Sequence, residues 1–120
     1  MTTSDILYDI ICLPRRFNET GDKSIYTLLM ETGYADIRDQ ITIDAIRNSL
    51  LKHPEYVPDW LQYSEDKRTA GGWYFKEGRS GEFIVGYLAD GEKREENQQP
   101  YNDGTDACAV FVKQEIDSII

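Results

Sequence analysis

The sequence predicts a segregated α+β fold: N-terminal helices, a central antiparallel β-hairpin or small sheet, and a C-terminal helix. Three observations predict it. Apolar residues recur at helical spacing before Gly72, alternate at period two from Trp73 to Ala89, and return to helical spacing at Ala109, Val112, Ile116 and Ile119. At 120 residues, 40 % of them hydrophobic, the chain has the size of one domain with one core and is read as a single unit over 1–120.

Ile6, Ile10 and Leu13 define a first helix over 4–13, capped by Thr3 or Ser4 and ended by Pro14. Residues 14–22 read as a loop. Ile25, Leu28, Leu29 and Glu31 fit a short second helix closed by Gly33. A third starts at Asp36 or Asp39, places Ile43, Ile46 and Leu50 on one stripe and stops at Pro54. That stripe is expected to pack on the inner face of the hairpin and on Val112 and Ile116 of the closing helix. Residues 54–70 lose periodicity and read as a turn with one helical turn around 58–63, where Trp60 and Leu61 plug the core. Strands over 73–76 and 83–89 flank Glu77-Gly78-Arg79-Ser80-Gly81-Glu82, whose glycines suit a reversing loop. Residues 90–104 hold no aliphatic side chain, so they form a long loop or a short exposed edge strand. A buried strand over 107–112 competes with a helix at the end; the helical spacing, with Asp103 or Thr105 as a cap, favours the helix.

With 22 acids against 13 bases the formal net charge is −9, which opposes phosphate backbones and anionic membrane surfaces. Direct nucleic-acid binding is disfavoured. Residues 1–76 carry 12 acids and 9 bases, net −3, whereas 77–120 carry 10 and 4, net −6; the C-terminal part would attract a basic partner. No run approaches the roughly 18 apolar residues of a membrane span. Asp5 and Asp9 interrupt the early apolar stretch where a signal peptide would lie, so a cytoplasmic protein with no membrane partner is expected. Cys12 and Cys108 read as buried, reduced thiols.

The one histidine, His53, precedes Pro54, where its side chain suits a helix C-terminus. Without a second histidine or a Cys-x-x-Cys pair, no metal, cofactor or catalytic site is expected. Gly78-Arg79-Ser80-Gly81 joins two strands and lacks the Gly-Lys-Ser/Thr ending of a phosphate loop, so it reads as a turn. Glu65-Asp66 beside Lys67-Arg68, and Glu95-Glu96 beside Lys93-Arg94, read as surface ion pairs. A hydrolase with two carboxylates stays open, because that chemistry depends on separation in space. The aromatics between Trp60 and Tyr101 are mostly packing residues. Trp73 and Phe75 face one side of their strand and Tyr74 and Lys76 the other, which leaves Tyr74, Tyr87 and Tyr101 as interface candidates.

The run Trp60-Leu61-Gln62-Tyr63-Ser64-Glu65-Asp66-Lys67-Arg68, followed by Gly72-Trp73-Tyr74-Phe75 and a second strand, resembles the small immunity proteins of bacterial contact-dependent growth-inhibition and related polymorphic toxin systems. The ending Tyr101-Asn102-Asp103-Gly104-Thr105-Asp106-Ala107-Cys108-Ala109-Val110-Phe111-Val112-Lys113-Gln114-Glu115-Ile116 is similar to their C-terminal helix. The resemblance covers roughly residues 35–120 and lies in fold and packing, not in an active site. It implies a non-enzymatic protein that binds and blocks a cognate toxin C-terminal domain, often a nuclease. A nuclease surface that binds phosphate is basic, and an acidic inhibitor complements it. The expected toxin-binding residues are Tyr74, Asp90, Glu92, Glu95, Glu96, Tyr101 and Asp103. The competing readings are a small enzyme with an unrecognised carboxylate-based site and a regulatory protein-interaction adaptor.

Overall fold

The computed structural model describes residues 2–67, 72–88 and 95–120, and its helices precede and follow a three-stranded antiparallel sheet. Helix α1 (Thr3–Ile11) is capped by Thr2 in place of Thr3 or Ser4: the Thr2 hydroxyl accepts from the Asp5 amide while the Asp5 carboxylate accepts from the Thr2 amide. The expected helix over 4–13 stops at Cys12. Pro14 then stands in the first turn of α2 (Leu13–Thr20), where a missing N–H breaks no intrahelical bond, so most of the expected loop is helix, closed by Gly21 at φ 71°. Ser24 caps α3 (Ile25–Glu31), and Gly33 follows it at φ 85°, as the pattern predicts.

Asp36 and Asp39 do not start the next long helix. They lie in a short helix, α4 (Tyr34–Ile37), and a 3-10 turn (Arg38–Gln40), and Thr42 caps α5 (Ile43–Lys52) by accepting from the Ala45 amide at 3.1 Å. The later start changes the stripe. Ile43 is 37 % exposed, while Ile41 and Ile46, at the two positions of a hydrophobic staple, are buried with Leu50. Helix α6 (Tyr56–Lys67) spans twelve residues where one turn is expected, because Pro58 falls in its first turn and interrupts no ladder. Trp60 is fully buried and Leu61 partly so; the Trp60 indole donates to the Ile11 carbonyl at 2.8 Å.

Strands β1 (Gly72–Glu77), β2 (Phe83–Leu88) and β3 (Glu95–Tyr101) pair in that order, with Phe75 opposite Val85, Phe83 opposite Tyr101 and a bulge between Val85 and Tyr87. Residues 95–101 form an edge strand, one of the two expectations for 90–104, and 98–100 are exposed. Both edges are protected. The Phe75 amide, facing away from β2, donates to the buried Ser64 hydroxyl at 2.7 Å. The same alternation turns the nitrogen of Pro100, opposite Ile84, away from β2, where its missing N–H costs no ladder bond and blunts the edge.

Helix α7 (Gly104–Ile119) closes the fold, with the Asp103 carboxylate accepting from the Thr105 amide at 2.8 Å. It packs on the sheet with one side and on α5 with another, with α6 alongside. The α5 stripe therefore meets α7 and α1, and α7 stands between it and the hairpin it was expected to touch. Phe111 carries the junction, its ring centroid 5.9 Å from Trp60 and 5.8 Å from Phe75. Cys12 and Cys108 are both buried and free.

Removing the Ser64 hydroxyl leaves a buried strand amide without its acceptor. Ser64→Ala should lower unfolding free energy by about 1–3 kcal/mol, seen as a lower urea midpoint at unchanged m-value. Both thiols should resist a thiol reagent in the native protein and react together once it unfolds.

Candidate functional site

Strand alternation sends Trp73, Phe75, Phe83, Val85 and Tyr87 to the helix side of the sheet, where Trp73 meets Tyr87 at 5.4 Å and Phe75 meets Phe83 at 6.0 Å between ring centroids. Tyr74, Lys76, Ile84, Gly86 and Leu88 occupy the opposite face. Among the described elements, α7 packs on the inner side through Phe111 against Phe75, and α6 packs on β1 with Ser64 at its edge. The outer face is the side on which the expected anchor Tyr74 lies.

The expected binding residues do not share one face. Tyr74 is not the part-exposed anchor the strand pattern suggests: only 3 % of it is accessible. Its ring lies over Gly86, with Lys76 Nζ 5.3 Å from the ring centroid and Gln98 Nε2 donating to its hydroxyl at 3.1 Å. A Cβ at position 86 would come within 2.6 Å of the Tyr74 ring, so glycine admits the tyrosine. Tyr101, opposite Phe83, packs half-buried on the inner side. Asp103 is exposed but occupied as the cap of α7. Glu95 and Glu96 lie on β3 opposite Leu88 and Tyr87, whereas Asp90 and Glu92 lie outside the described residues. Gly86 and Gln98 are the members of this surface that pattern reading misses. A glycine inside the run Phe83-Ile84-Val85-Gly86-Tyr87-Leu88 was the available signal, since it marks a close approach in a strand.

In the helical layer, carboxylates meet phenols and cations. The buried Glu115 accepts from the Tyr63 hydroxyl at 2.7 Å. Asp117 accepts from the Tyr34 hydroxyl at 2.6 Å, Lys113 Nζ donates to the same hydroxyl at 2.6 Å and to the Arg38 carbonyl at 2.8 Å, and Arg47 pairs with Asp106. Burial, reinforced by these carboxylates, pushes the Tyr34 and Tyr63 phenols well above the ordinary range. The hydrogen bond with Tyr8, together with burial, pushes Tyr56 up to about 12. Asp66 accepts from Gln62 at 2.8 Å, and the expected partners Arg68, Lys93 and Arg94 lie outside the described residues. His53 stands at the C-cap of α5, the expected position, but it is its backbone N–H that reaches the last carbonyls, and its ring packs 5.0 Å from that of Tyr8. Among the described residues no group of three or more His, Cys, Asp or Glu side chains is placed to hold a metal ion, and no helix is long and apolar enough to cross a membrane.

No protein-family model, curated protein or solved structure matches this chain.

Gly86→Ala should cost about 1–3 kcal/mol by forcing the Tyr74 ring off the sheet, and Tyr74→Phe about 0.5–1.5 kcal/mol through loss of the Gln98 bond; thermal and urea unfolding measure both. Tyr34, Tyr56 and Tyr63 keep their protons in the fold above pH 10, where unfolded phenols begin to release theirs. The unfolded state then binds fewer protons, so stability should be insensitive to these groups at pH 9 and fall as pH rises above 10. Urea midpoints at pH 9, 10 and 11, alongside the 295 nm tyrosinate absorbance of native protein, test that sign.

Proposed function

We propose that this chain is an immunity protein, which binds and neutralises a cognate toxin domain in the cytoplasm and performs no chemistry of its own. The observation that carries the reading is where its negative charge lies. Of the ten acids in 77–120, Asp106, Glu115 and Asp117 are engaged by Arg47, Tyr63 and the Tyr34–Lys113–Arg38 cluster. The other seven belong to the strands, their connections and the cap of α7. A basic partner, such as a nuclease with a phosphate-binding cleft, is the complement of that distribution. Pro100 disfavours docking by strand addition and so supports docking against the sheet's face. The resemblance of residues 35–120 to immunity proteins supports the same reading.

Co-expression with the toxin domain encoded beside this gene tests it. Growth should be restored and the two proteins should co-purify. Glu95→Lys with Glu96→Lys should slow association by about tenfold at low salt and flatten its ionic-strength dependence, with dissociation little changed. Failure to restore growth or to co-purify would remove the immunity reading.

A further inference from the structure

A groove of about 410 Å³ runs between α1 and α5, on the helical side of the molecule. That volume falls within the range of about 300–1,000 Å³ typical of small-molecule sites. In a chain of net charge −9, its lining among the described residues contains no carboxylate. Helix α5 and its cap contribute Asn48, Ser49, Lys52 and His53, and α1 contributes Ser4 and Tyr8. The side chains of Ser4, Asn48, Ser49 and Lys52 have no hydrogen-bond or ion-pair partner among the described residues, so these donors are unspent. Of the carboxylates nearby, Asp5 is held by Thr2 in the capping box, whereas Glu55 stands outside the lining with its carboxylate 3.7 Å from His53 Nδ1, so Lys52 and the α5 hydroxyl and amide are the donors without a carboxylate beside them.

The groove also has a fixed aromatic wall. Tyr8 is 40 % exposed, yet its hydroxyl shares a hydrogen bond with the Tyr56 hydroxyl at 3.0 Å, and its ring stands edge-on to His53. A ring held at its far end and open along its side is preorganised for a planar apolar group, and Leu7 and Ala45 are the apolar residues that share the lining. The rest of the lining offers an ammonium, an amide and two hydroxyls. A carboxylate has two oxygens to meet them, whereas a phosphate monoester has three and a larger negative charge.

We propose that the α1/α5 groove binds a phosphate monoester carrying a planar apolar group, with the phosphate at Lys52 and the α5 donors and the organic group against Tyr8. The proposal is independent of toxin binding. The test is a ¹⁵N–¹H titration of the full chain with phenyl phosphate, inorganic phosphate, benzoate and, at matched ionic strength, sodium chloride. Phenyl phosphate should give saturable shifts at Tyr8, Ser49, Lys52 and His53, at least tenfold tighter than inorganic phosphate or benzoate. Lys52 is exposed, so Lys52→Ala should leave the melting temperature unchanged and weaken binding at least tenfold, with Lys52→Arg recovering most of it. Shifts reproduced by sodium chloride, benzoate binding as tightly as phenyl phosphate, or a Lys52→Ala titration identical to the parent would each overturn the assignment.

Discussion

Burial of α7 on more than one side is the constraint from which the rest of the arrangement follows. Seven of its residues, Ala107, Cys108, Ala109, Phe111, Val112, Glu115 and Ile116, are buried, and the first three are small enough to let neighbouring backbones approach closely. The buried Glu115 of such a helix needs a partner, because a buried charge without one costs several kcal/mol, and the more accessible Asp106, Lys113 and Asp117 find partners as well. The partners come from separate N-terminal elements: Arg47 of α5 for Asp106, Tyr34 of α4 for Lys113 and Asp117, and Tyr63 of α6 for Glu115. These contacts span 52 to 83 positions of sequence wherever a hydrogen bond joins side chains of α4 or α6 to α7. The N-terminal layer is thus completed only when the last helix docks, which is the long-range topology that slows folding relative to a simple helical bundle.

Among the described residues, α7 packs on one side of the sheet. Its inner face is an aromatic layer continuous with Phe111, whereas the outer face is levelled by a single ring, Tyr74 over Gly86. Edge protection differs between the two ends. A serine hydroxyl satisfies an outward amide of β1, and a proline removes one from β3. Because α7 separates α5 from the strands, the sheet and the α1/α5 groove are distinct surfaces whose chemistry differs as well: acids cluster in the strand segment, unspent donors in the groove.

Legibility in the sequence followed the range of the interaction concerned. The hairpin, α3 and α7 were readable because a period of two or of 3.6 runs through each with its own cap or turn residues, as with Asp103 before α7 and the glycines at 78 and 81. Helices α2 and α6 were not, because Pro14 and Pro58 are read as breakers unless the helix start is already known, and a proline in the first turn breaks nothing. The start of α5 was misplaced for a related reason. Asp36, Asp39 and Thr42 are all competent caps; Asp36 and Asp39 are taken up in α4 and the 3-10 turn, and Thr42 caps α5 with Ile41 buried before it.

Of the candidate site, composition and spacing alone determined the sign of the charge, its concentration after residue 77 and the opposite orientations of Tyr74 and Phe75 on their strand. Tertiary structure decided which of those side chains stays accessible. Tyr74 is buried on the outer face because position 86 on the neighbouring strand has no Cβ and Gln98 on the third strand caps its hydroxyl; Tyr101 is drawn inward because it pairs with Phe83. Backbone periodicity is a local property and can be read one residue at a time. Exposure depends on which distant residues arrive beside a side chain, so for Tyr74 it was set by register across two strands and could not be read from its own neighbours in the chain.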